Sequence, residues 1–233
     1  MFRIHEMVTT SRSDSQGKLK LFSAFQMLQD CSELWLDSAK VYRDYLKENG
    51  LAQLLASRQV EIIRVPEYKE KLTIETSVFD CQPLFGFRNT FIYDAAGNPC
   101  YKTWSLGVFV ELASGKMKKL PAEVMNATVM DSKLDMNYGE RKIAVPDGEF
   151  QTFSPVAVER NDIDYNGHMN NAHYVRLAME CLPEDFTTKT VRVEYKIPAK
   201  RGELLVPEML LVENRAYIKF MKGNVAAAVL EFG

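Results

Sequence analysis

Apolar positions recur at two different spacings along this chain, and the spacings sort it into two similar halves. Over residues 23–47, Phe25, Leu28, Cys31, Ser32 and Trp35 return at steps of three and four. That rhythm places side chains on one face of a helix. Gly50 is the expected stop. Before the helix, residues 2–10 alternate weakly like a strand, and residues 14–17 carry a turn signal. After it, residues 58–65, 72–81, 85–93 and 101–110 have strand character, with a hairpin loop over 94–99. The first half therefore reads as strand, helix and antiparallel meander.

The second half repeats this plan. Residues 150–158 alternate, 162–167 form a turn, and 171–181 are helical, with Tyr174, Leu177, Ala178 and Cys181 on one stripe. Strands are expected over 190–197, 204–212, 216–221 and 226–232, with Lys222-Gly223-Asn224 as a tight turn. Between the halves lies a stretch of different character, with Lys116, Lys118, Lys119, Pro121 and a short helical piece near 121–125. The expected division is residues 1–115 as the first repeat, 116–148 as connector and 149–233 as the second repeat. Residue matches point the same way. Arg12-Ser13-Asp14 with Gly17 resembles Arg160-Asn161-Asp162 with Gly167, which implies a second turn two residues longer. Val60-Glu61 and Pro66 resemble Val193-Glu194 and Pro198. A helix followed by several antiparallel strands, twice over, predicts two α+β units.

Charge and cysteine content narrow the function classes. A net charge of −2 gives no global attraction to nucleic acid. Cys31, Cys81, Cys100 and Cys181 include no CxxC pair, so a zinc or thioredoxin-like site is not expected. No window is long and apolar enough for a membrane helix, and the N-terminus lacks the apolar core of a secretory leader. The expectation is a cytoplasmic protein with reduced, mostly buried thiols and no bound cofactor. A monomer and a homodimer both fit.

The chemistry concentrates in residues 160–171. Asp164, Asn166 and His168 occupy alternate positions just before a helix, so a carboxylate, a carboxamide and an imidazole can share one side of the chain. Asn170 or Asn171 can cap the helix, and Gly167 permits a backbone angle that other residues resist. The N–H groups of Gly167, Met169, Asn170 and Asn171 are candidates for holding a developing oxyanion. The competing reading is that these residues only make the turn and cap.

Resemblance separates the two readings. The run from Asp162 through Asn171, followed by Ala172-His173-Tyr174-Val175, resembles the D-x-N-x-H-x-N-N signature of the acyl-acyl carrier protein thioesterases. Asp164, Asn166, His168, Asn170 and Asn171 match it position by position. In the first half, Asp14 with Gly17-Lys18-Leu19, Arg58 through Pro66, and Arg88 through Gly97 resemble the family's other motifs, so the likeness spans about residues 4–202. It implies a tandem hot-dog fold: α+β, two antiparallel sheets each wrapping a central helix. It also implies hydrolysis of fatty acyl-acyl carrier protein, with the carrier as partner and Asp164, Asn166 and His168 as catalytic set. The wider single hot-dog acyl-CoA thioesterases share a D-x-x-G-x-x-N-N pattern that Asp164, Gly167, Asn170 and Asn171 also satisfy. A non-catalytic acyl-binding module is the third reading. It draws on one departure: Pro198-Ala199 stands where plant-type members carry a Glu-Cys pair. Asp164 must then do more, or another group such as Glu203 must substitute. Phe25, Leu28 and Trp35 are candidates for the acyl pocket, and Lys116, Lys118, Lys119, Lys196, Lys200 and Arg201 for meeting an acidic carrier. Cys181 is expected in the core.

Overall fold

The computed structural model describes all 233 residues and divides them into two compact units. The first comprises Met1–Ala56 and Ile62–Tyr138, the second Ser57–Glu61 and Gly139–Gly233. By contact, the expected connector divides, residues 116–138 grouping with the first unit and 139–148 with the second.

In the first unit, β1 (Phe2–Met7), β3 (Lys71–Cys81), β4 (Phe85–Tyr93) and β5 (Pro99–Glu111) form an antiparallel meander in the order β1-β3-β4-β5. The strand before β3, β2 (Leu51–Ile62), follows β5 in that order. The long helix α1 (Leu21–Ser38) buries Ala24, Phe25, Met27, Leu28 and Cys31. Its apolar stripe is the one the three- and four-residue spacing requires. Helix α2 (Lys40–Glu48) follows after the single non-helical residue Ala39 (ψ 72°). The uninterrupted apolar rhythm predicts one helix across this point, because a one-residue break leaves the period almost unchanged. Trp35 and Tyr42 lie ring to ring across it, with centroids 5.9 Å apart. A short α3 (Ala122–Asn126) lies in the connector.

In the second unit, β8 (Thr190–Tyr195), β11 (Val225–Phe232), β10 (Arg215–Lys222), β9 (Leu204–Val212) and β6 (Gln151–Thr152) run antiparallel in that order. Ser57–Glu61 of β2 pairs with β8, and β7 (Val156–Ala157) pairs with β9. Helix α4 (Asn171–Met179) buries Ala172, Tyr174, Val175, Leu177 and Ala178. The Tyr174 ring meets Phe220 of β10 and Tyr195 of β8, with centroids 5.7 and 5.9 Å away. Ile143, Val145 and Phe150 pack with Leu210, Tyr217 and Val229, so the end of the connector belongs to this unit's core.

Two strand expectations change. Strand β2 begins at Leu51 rather than 58, although its first residues include no β-branched side chain. The strand expected over 150–158 is two short pieces, β6 and β7. Pro155 lies between them, and proline has no N–H to give a ladder.

Candidate active site

Each long helix is entered by the same kind of loop. A 3-10 turn spans Thr10–Arg12 in one case and Arg160–Asp162 in the other. Isolated bridges Ser13–Leu19 and Ile163–Met169 follow, and the residues before the helices, Lys20 and Asn170, have identical angles (φ −58°, ψ 136°). The two loops correspond at one constant offset, so Asp164 matches Asp14 and Asp162 matches Arg12. The alignment of Arg12 with Arg160, and the longer second turn it implied, are therefore corrected. Arg12 and Arg160 stand in similar sequence contexts two positions out of step, whereas the hydrogen-bonded frame fixes the register.

The second loop is built around Asp164. Its Oδ1 accepts from Asn166 N–H at 2.9 Å, its carbonyl accepts from Gly167 N–H at 3.0 Å, and its own N–H donates to His168 O at 2.9 Å. Gly167 has φ +76°, the left-handed region that favours glycine. The carboxylate thus spends one oxygen on the turn and keeps the other. Asp164 and His168 are partly exposed, Asn166 is exposed, and Tyr165 between them is 81% exposed. The three predicted polar groups sit on one short, open loop.

Of the two asparagines, Asn170 is the cap: its side chain accepts from Ala172 N–H at 2.9 Å. Asn170→Ala is expected to cost about 1 kcal/mol, the usual worth of such a cap, read as a lowered midpoint in urea unfolding.

Backbone donors narrow more than the sequence suggested. The N–H groups of Gly167, Met169 and Asn170 are engaged with Asp164 O (3.0 Å), Ala199 O (2.8 Å) and Asp162 O (2.8 Å). These three are removed as oxyanion donors, because the loop uses them to brace the start of α4. Asn171 stays as a candidate, and His168 joins it.

A second cluster, Asp162 with His173 and Arg176, went unremarked in the sequence. Asp162 is buried, at 5% exposure. Its Oδ1 meets His173 Nδ1 at 2.6 Å and Arg176 Nη2 at 3.0 Å, and its Oδ2 accepts from Glu159 N–H at 2.7 Å. Burial works to raise the Asp162 carboxyl, but the bonds from Glu159 and His173 and the neighbouring positive charge outweigh it and hold it below the usual carboxylate value. Burial also lowers His173, against the pull of Asp162. The consistent state at neutral pH is an ionised Asp162 accepting the Nδ1–H of a neutral His173. The signal was a histidine and an arginine three apart in the first turns of α4, within reach of an acid in the preceding turn.

The remaining candidates separate by burial. Phe25 and Leu28 are 1% and 0% exposed, which places them in the helix–sheet core. Trp35 is only partly buried and lines a cleft of the first unit with Tyr42, Cys81, Phe87 and Arg88, the guanidinium lying 4.0 Å from the Trp35 ring centroid. Cys181 is buried, its Sγ donates to Leu177 O (3.6 Å), and burial pushes its thiol up to about 11. It is a neutral core thiol, so Cys181→Ala is expected to leave kcat within about twofold in a thiol-release assay, since only the thiolate is a nucleophile. At the departure from the family pattern, Ala199 is buried and its carbonyl binds the Met169 N–H. Glu203 Oε2 is taken by Lys222 Nζ and by Lys200 N–H, both at 2.7 Å, which holds its carboxyl low and commits it to the 198–202 turn.

Comparison with known proteins gives this geometry its setting. The profile of the acyl-ACP thioesterase N-terminal domain matches residues 2–128, and that of the C-terminal domain matches residues 147–220. The chain belongs to the acyl-ACP thioesterase family. It is a thioester hydrolase that acts on fatty acyl-ACP. Among solved structures, an acyl-ACP thioesterase from Bacteroides thetaiotaomicron is 18% identical with a TM-score of 0.88, covering 99% of this chain and 96% of that one. The 12:0-ACP thioesterase from Umbellularia californica is 15% identical with a TM-score of 0.83, covering 99% and 95%. At such identity these likenesses show the shared hot-dog fold. A search of curated proteins gives no significant match. No helix of this thioesterase is long and apolar enough to cross a membrane.

Proposed function

We propose that this thioesterase cleaves its substrate at the 162–171 loop, with Asp164 as general base. The observation that carries the proposal is the open placement of Asp164, Asn166 and His168 on a loop braced at both ends. The free oxygen of Asp164 takes a proton from water, and the resulting hydroxide attacks the acyl carbonyl carbon. Negative charge collects on the carbonyl oxygen and is taken up by the N–H groups of His168 and Asn171, which the loop's own backbone bonds do not use. The tetrahedral intermediate collapses, the C–S bond breaks, and the pantetheine sulfur leaves as a thiolate that is then protonated. A thiolate leaves readily, so the step requires no strong acid. The His168 ring and the Asn166 amide orient water and thioester. Pro198-Ala199 has no ionisable side chain, so the full burden of the base falls on Asp164.

The products are a free fatty acid and the unloaded carrier, which ends chain elongation. The four free cysteines, three of them buried, fit a reducing cytoplasm. Lys200 and Arg201, exposed beside the carbonyl that braces Met169, are the carrier-facing charges we favour. The test is thiol release from matched acyl-ACP and acyl-CoA over medium and long chains. Faster turnover of the carrier-bound form supports the reading. Preference for coenzyme A thioesters would move the protein to the acyl-CoA reading, and binding without turnover on either would leave a binding module.

A further inference from the structure

The two helix-entry loops share their backbone brace and differ in their side-chain brace. In both, the N–H before the helix closes the loop: Lys20 donates to Arg12 O at 2.9 Å, and Asn170 to Asp162 O at 2.8 Å. In the first loop the Arg12 guanidinium turns away to Glu6 and to Met7 O. Ser23 stands where the second loop has His173. In the second loop, Asp162 draws together Glu159 N–H, His173 and Arg176 with its side chain, while its carbonyl holds Asn170. One buried carboxylate therefore ties the start of the loop, its end and the first turns of α4. The first loop is tied by other side chains, Ser13 Oγ to Thr9 O at 2.8 Å and Lys20 Nζ to Ser11 O at 3.1 Å; the tie through a buried carboxylate belongs to the loop that carries Asp164 and His168.

We infer that His173 is a positioning residue for the hydrolysis. Its Nδ1–H, donated to Asp162, fixes the span from Ile163 to Met169 so that Asp164 and His168 meet the thioester in register. The His173 side chain is only 14% exposed, so it acts through Asp162 and the loop. The charged groups bearing on the ring are Asp162 and Arg176. Arg176 is the more exposed of the two groups that clamp Asp162, so the imidazole is the sheltered half of the clamp. The effect on turnover rests on the reading above, in which this loop does the chemistry.

The test compares the unaltered chain with His173→Ala and His173→Asn, assayed on acyl-ACP and followed by amide hydrogen exchange. His173→Ala is expected to lower kcat by about 10²-fold at little-changed KM, the scale of a small misplacement of reacting groups. His173→Asn, whose amide nitrogen takes the place of Nδ1 and can still donate to Asp162, is expected to recover most of that loss. Exchange should quicken at residues 163–170 in the alanine variant and stay unchanged in the strands of the same unit. Unchanged kcat in His173→Ala would overturn the inference. So would equal impairment of both variants, or exchange rising throughout the unit as plain destabilisation would produce. If the unaltered chain hydrolyses no acyl thioester, the catalytic reading fails by itself, and the exchange pattern alone then decides whether His173 holds the loop.

Discussion

Asp164→Asn is expected to lower kcat on acyl-ACP by about 10²–10⁴-fold, the range a positioned general base supplies. The substitution is chosen because Asp164 has two jobs. Its Oδ1 accepts from Asn166 N–H and so makes the turn. An asparagine carbonyl accepts the same bond, so the loop keeps its frame and stability should change by less than about 1 kcal/mol, the net worth of such a bond. What is lost is the ionisable oxygen. Asp164→Ala removes both functions and confuses them. Steady-state kinetics beside urea unfolding of the same preparation separates the two. Loss of turnover with unchanged stability would place Asp164 in the chemistry, and loss of stability with proportionate loss of turnover would reduce it to a turn residue.

The largest effect on stability is expected at Asp162. Asp162→Ala leaves the half-buried His173 ring and the Glu159 N–H without their acceptor, and a donor left unpaired costs about 1–3 kcal/mol. The exposure of Arg176, 39% at the side chain, argues for the lower end. Urea unfolding at neutral pH checks the value. The same cluster contributes to the acid limb of stability, beside carboxylates such as Glu70 and Glu203 that their partners also hold low. Folded His173 lies below its ordinary 6.5, so the unfolded chain takes up that proton first. Stability is then full above pH 6.5, declines as pH falls below it, and levels off once the folded ring is protonated too. Folded Asp162 lies below 3.8, so its share is present above that pH and is lost as pH falls through the folded value. The decline that begins near pH 6.5 should vanish in His173→Asn.

Much of this was legible because hydrophobic spacing is a direct consequence of which face is buried. The stripe of α1 and the extents of β4 and β9 could be read in this way. The break at Ala39 could not, since one non-helical residue barely disturbs the rhythm. The opening of β2 was hidden because Leu51 to Ala56 is held as strand by its neighbours rather than by propensity. At the site, the Asp164 turn and the Asn170 cap follow from local chemistry and were visible. The N–H groups of Met169 and Asn170 were not, because their partners, Ala199 O and Asp162 O, are backbone atoms that any residue would present. Asp162 and His173 are unmarked in the sequence for a related reason. Each looks ordinary in sequence, and only the fold brings them to 2.6 Å.

A single turnover of acyl-ACP in heavy-oxygen water, followed by mass analysis of the fatty acid and of the peptide that contains Asp164, distinguishes an activated water from a carboxylate that attacks directly. If Asp164 activates water, the label enters the fatty acid in the first turnover and the Asp164 carboxyl stays unlabelled. Label in the Asp164 carboxyl would show direct attack through an anhydride and contradict the account, as would unimpaired hydrolysis by Asp164→Asn in the same reaction.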